Sequence, residues 1–101
     1  MTTYFLQILV DSIEIYELEN SFLGGKISAF HKDQILEVNM YIDKGPMVVI
    51  GGREYNAIFR YYQKTYVISS LIQLGYVVDV TKQIKRNETL INLGIDESNT
   101  L

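Results

Sequence analysis

The sequence predicts an α+β fold: a curved antiparallel sheet of five to seven strands packed against one long α-helix over residues 53–74. Three observations carry this expectation. The chain holds 13 Ile, 8 Val and 6 Thr against 2 Ala, and β-branched side chains favour a pleated surface over a helix. Turn residues punctuate the first fifty positions at short intervals, which suits a meander of antiparallel strands. After Gly52 the apolar spacing lengthens from two residues to three and four. No Gly or Pro occurs from Arg53 to Leu74, and Gly75 stands where a helix C-cap belongs.

The first strand is expected at residues 3–10, TYFLQILV, whose near-continuous apolarity suits a central strand covered on both faces. Residues 13–18, IEIYEL, alternate like a half-exposed second strand. Asn20, Ser21 and the Gly24-Gly25 pair read as a turn, with a third strand at 26–31. In a fourth strand at 35–42, Leu36, Val38, Met40 and Ile42 form one apolar face directed at the core. Asp43-Lys44-Gly45-Pro46 is a turn, MVVI a fifth strand, and Gly51-Gly52 ends it.

In the predicted helix, Tyr55, Ile58, Phe59, Tyr62 and Tyr66 fall within roughly 100° of arc. A helix of that length measures about 33 Å, against about 20 Å for a six-residue strand. It therefore overhangs the sheet, and its apolar C-terminal end calls for a cover, either the residues after 82 or a second subunit. Residues 76–81 read as a sixth strand. Residues 82–94 suit a short last strand somewhat better than a weak helix. The domain is expected to span 1–94, followed by a polar tail at 95–101.

Composition narrows the function classes. A chain of 101 residues forms one modest core. Without cysteine there is neither a disulfide framework nor thiolate chemistry. No basic residue precedes the apolar run Tyr4–Val10, and Asp11 ends it, unlike a secretory signal. No apolar run approaches the ~20 residues of a membrane span. These features lead to the expectation of a cytoplasmic chain with no membrane partner. The net charge of −3 has no basic face for nucleic acid.

No motif on the chain carries recognisable chemistry. His31, the single histidine, sits in a polar break and reads as a solvated turn residue. Asp11, Glu14, Glu17 and Glu19 do not converge under strand alternation and read as the charged face of an edge strand. Lys82 to Arg86 is a short basic turn rather than a phosphate site. Without nucleophile, base and oxyanion donors together, an enzyme is not the leading reading, and no cofactor or metal is implied.

The aromatic stripe is the strongest feature. Tyr55, Phe59, Tyr62 and Tyr66 carry roughly 600–1,000 Å² of buriable surface, beyond the ~300–600 Å² patch of an ordinary monomer. The bland account is a core ridge against the sheet, with tyrosine hydroxyls at its rim. The functional account is a partner surface of Tyr55, Phe59, Arg60, Tyr61, Tyr62 and Tyr66. Tyr61 lies off the stripe by about 100° and marks a second face. The leading expectation is a small non-catalytic protein-interaction module, a homodimer, of the kind found among inhibitors and accessory proteins of phages and mobile elements. The alternative is a binder of a nucleotide or similar small anion. Its pocket would be lined by tyrosines between helix and sheet and closed by Gly51, Gly52 and Arg53.

Overall fold

Strand-forming residues dominate the chain further than the helical periodicity implies. The computed structural model describes residues 1–20 and 22–92. Among them lie nine strands and two short helices. The order is β1 (Thr2–Ile8), β2 (Ser12–Glu19), β3 (Phe22–His31), β4 (Ile35–Tyr41), β5 (Gly45–Ile50), β6 (Arg53–Tyr55), β7 (Ala57–Tyr61), β8 (Lys64–Tyr66), α1 (Ile68–Gln73), β9 (Val77–Asp79) and α2 (Thr81–Asn92).

Two antiparallel sheets share one core. The first has the order β6-β5-β4-β1-β9 and the second β3-β2-β7-β8. The chain passes between the sheets at Leu9–Asp11, after His31, at Asn56, and through α1. Leu6, Ile8, Leu36, Val38, Val48 and Val77 from the first sheet meet Ile13, Ile15 and Phe59 from the second. Ile68 and Leu71 of α1 complete the buried cluster. β1 is central, between β4 and β9, as its near-continuous apolarity suggests.

The long helix over 53–74 does not exist, and the α+β description falls with it. Three strands and the six-residue α1 occupy that segment. The physical reason lies in alternation. Ala57, Phe59 and Tyr61 share one face of β7 and pack on the core, a period of two that the spacing of the larger aromatics conceals. Asn56 separates β6 from β7 and sends the chain from one sheet to the other. Tyr62 and Gln63 then form a two-residue hairpin loop between Tyr61 and Lys64, with φ of 49° and 65°. Positive φ at both central positions marks the I′ kind of turn, which Asn-Gly ordinarily supplies. Nothing in Tyr-Gln announces it.

Other expectations are corrected in the same way. Gly51 (φ 60°) and Gly52 (φ 78°) are the hairpin loop joining β5 to β6, not the approach to a helix. Gly24 and Gly25 lie inside β3 rather than in a turn. A Cβ on Gly24 would stand 2.7 Å from the Glu17 carbonyl oxygen, so this glycine permits close approach at the irregular register of β2 and β3. β2 is not an edge strand but lies between β3 and β7. Its outer face stays charged, with Glu14 bound to Lys26 at 3.0 Å. Ile42, expected in the core, follows the end of β4 and is fully exposed. Residues 81–92 are helical rather than a last strand, and the tail at 95–101 lies outside the described residues.

Candidate functional site

The β7–β8 hairpin and the chain between α1 and β9 converge on one corner of the molecule. Phe59 and Tyr66 are cross-strand partners, as are Tyr61 and Lys64. Tyr76, just before β9, enters from the other side, its carbonyl accepting a 2.9 Å hydrogen bond from the Leu9 N–H. The rings of Tyr61 and Tyr62 stand 4.5 Å apart, Tyr61 and Tyr76 5.0 Å, and Tyr66 and Tyr76 5.8 Å. All three contacts are edge-to-face, the arrangement that sets the positive edge of one ring against the negative face of the next.

Exposure grades across this corner. Phe59 is 2% exposed and belongs to the core. Tyr61, Tyr66 and Tyr76 are half-buried and pack against it. Tyr62, at the hairpin tip, is 76% exposed. Beside it, Asp11, Ser12, Tyr61 and Tyr62 line a cleft of about 180 Å³. Partial burial lifts the Tyr61 phenol above its ordinary value, and the neighbouring Tyr62, the charge of Asp11 and Tyr76 add to the lift. The Tyr66 phenol is raised as well, by burial first and then by Tyr76.

The six predicted partner residues are thus divided. Tyr61, Tyr62 and Tyr66 come together. Phe59 is removed from any surface by burial. Arg60 points to the other face of β7, opposite Glu14 and Thr65. Tyr55 lies on β6 in the other sheet, opposite Val48. In the sequence Tyr76 reads as the start of a strand, and only the three-dimensional return of the chain brings it beside Tyr61 and Tyr66. Gly51, Gly52 and Arg53 form an exposed hairpin tip, and among the described residues no helix starts there to close a pocket against the sheet.

Three further features lie elsewhere. An apolar cleft of about 380 Å³ opens between the sheets, lined chiefly by Leu18, Met40, Pro46, Val48, Phe59 and Ile68. On the outer face of the first sheet, the Glu54 carboxylate accepts from Tyr41 Oη at 2.5 Å and from Asn39 Nδ2 at 2.8 Å. These bonds hold its pKa below the ordinary value. Lys82 and Arg86 of α2 flank a shallow cleft with Tyr4 and Asp79. Among the described residues no group of three or more His, Asp or Glu side chains is placed to hold a metal ion. No helix there is long and apolar enough to cross a membrane. In comparisons with known proteins, no family model, curated protein or solved structure matches this chain.

Proposed function

We propose that this chain is a non-catalytic protein-interaction module of the cytoplasm, in an inhibitory or accessory role, and that it engages its partner through Tyr61, Tyr62, Tyr66 and Tyr76. The single observation behind this reading is Tyr62. A large aromatic side chain is held 76% exposed on a positive-φ turn and backed edge-to-face by a half-buried tyrosine. Left-handed backbone costs a non-glycine residue about 1–2 kcal/mol. Such local strain concentrates at functional sites, and a rigid exposed tyrosine is a favoured interface anchor.

No overhanging helix end calls for a second subunit, and a second copy of the chain is one candidate partner for this corner. A crosslinking experiment decides the partner. A photoreactive phenylalanine analogue at position 62 should give one discrete adduct in cells producing the chain, and the same analogue at position 53 should not. An adduct of twice the chain mass would assign a second copy. No adduct at 62, or identical adducts at both positions, would sink the reading.

The apolar cleft supports a second reading, with a small apolar ligand in place of the nucleotide or anion. Its volume of about 380 Å³ falls in the ~300–1,000 Å³ range of small-molecule sites. A small apolar molecule that binds there should raise the melting temperature with concentration. An unchanged melt across a panel of such molecules would remove this reading.

A further inference from the structure

The cleft beside Tyr62 has a chemical character that the proposed partner surface alone does not specify. Two of its four lining residues are aromatic, one is a carboxylate and one a hydroxyl. Aromatic faces carry negative potential and attract ammonium and guanidinium groups within about 6 Å. A carboxylate at the same mouth adds a full negative charge and acceptors for a charge-assisted hydrogen bond.

Among the described residues the recorded cation contacts lie away from this cleft. A cation–ring contact within the chain, Lys44 over Tyr41 at 4.9 Å, lies on the other sheet. Lys26 pairs with Glu14 at 3.0 Å. Asp11 takes part through its backbone carbonyl, which accepts from the Lys32 N–H at 3.2 Å, and among the described residues its carboxylate has no ion pair. Lys64 lies opposite Tyr61 across the hairpin without stacking on it. Asp11 and Tyr61 line the same cleft, and the Asp11 charge adds to the lift that burial gives the Tyr61 phenol.

We propose that this cleft receives a lysine or arginine side chain of the partner protein, its cationic head against the Tyr61 and Tyr62 rings and paired with the Asp11 carboxylate. The proposal rests on the reading of this corner as a protein-binding surface. A volume of about 180 Å³ suits one side-chain head rather than a nucleotide or a folded segment. The net charge of −3 favours a basic partner at long range. The hairpin turn sets Tyr62 over the cleft, which gives its strained backbone a use.

The test is an NMR titration of the intact chain with three blocked tripeptides, acetyl-Gly-X-Gly-amide, where X is lysine, arginine or norleucine. Norleucine keeps the aliphatic stem and lacks the charge. The lysine and arginine peptides should move the ring signals of Tyr61 and Tyr62. The norleucine peptide should bind at least ~5-fold more weakly, the ratio that about 1 kcal/mol of charge interaction corresponds to. Asp11→Asn should weaken the charged peptides by a similar factor and leave norleucine unchanged. Tyr62→Leu, at an exposed position, should weaken the charged peptides while the rest of the spectrum stays native. Equal binding of norleucine and lysine peptides at these rings would overturn the cationic site yet leave the protein-binding reading standing. If no peptide moves the Tyr61 and Tyr62 signals, the cationic site is overturned. If the position-62 crosslink also fails, the reading beneath it falls too.

Discussion

Replacing Phe59 or Tyr62 by alanine separates the hairpin from a helical stripe by magnitude. On a helix the two residues, three apart, would share one buried face and cost similar amounts when truncated. In the hairpin, Phe59 is 2% exposed and Tyr62 is 76% exposed. A buried phenylalanine cut to alanine loses its transfer free energy and leaves a cavity, together about 3–5 kcal/mol. Tyr62 covers only about a quarter of its ring surface, roughly 40–60 Å² of the 150–250 Å² such a side chain can bury. At about 25 cal/mol per Å² its loss costs about 1–1.5 kcal/mol, and alanine inherits the same positive φ, so no strain is relieved. The gap between the variants is therefore roughly 2–4 kcal/mol. Urea unfolding of both variants and the parent measures it, with midpoints separated by roughly 1 M or more at an unchanged slope. Equal destabilisation by the two substitutions would refute the placement of Tyr62 outside the core.

Three other outcomes follow from the same geometry. Gln63→Gly relieves about 1–2 kcal/mol of left-handed strain and loses about 0.5–1 kcal/mol to glycine's greater freedom in the unfolded chain. Calorimetry should therefore show a melting temperature unchanged or higher by up to about 10 °C, and a lower one would mean that the Gln63 side chain holds the turn. Tyr61 and Tyr66 keep their protons more tightly folded than unfolded. Their stabilisation is thus fully present below the ordinary value of 10.0 and is lost as pH rises through their raised values. Unfolding midpoints across that alkaline range should fall, with tyrosinate absorbance appearing later in the folded chain than in urea. Tyr41→Phe removes the main cause of the depressed Glu54 carboxyl, so its NMR titration should move up toward the ordinary 4.5, and an unchanged titration would discount the hydrogen bond.

Strands whose period was visible could be read from residues alone. β1 and β4 declare themselves through near-continuous apolarity and through the alternation of Leu36, Val38 and Met40, and the sheet takes both up. Residues 53–66 were misread because two patterns overlap there. Tyr55, Phe59, Tyr62 and Tyr66 recur at helical spacing, while Ala57, Phe59 and Tyr61 recur at strand spacing. Cross-strand pairing of β7 with β2 decides between them, and a single segment does not carry that information. The Tyr62-Gln63 turn hid for a related reason: its positive φ is imposed by the hairpin and not invited by Gly or Asn. The candidate site was half legible. Tyr61, Tyr62 and Tyr66 stood in the aromatic cluster, but Asp11 and Tyr76 join them only through the passage of the chain between sheets.

The tyrosine corner is tested most directly by proton–proton NOE contacts in the intact protein. Ring-to-ring contacts between Tyr61 and Tyr76 and between Tyr66 and Tyr76 are predicted, together with cross-strand backbone contacts linking Phe59 to Tyr66. Backbone contacts between residues three and four apart along 55–66, with no ring contact to Tyr76, would restore the helix and contradict the corner.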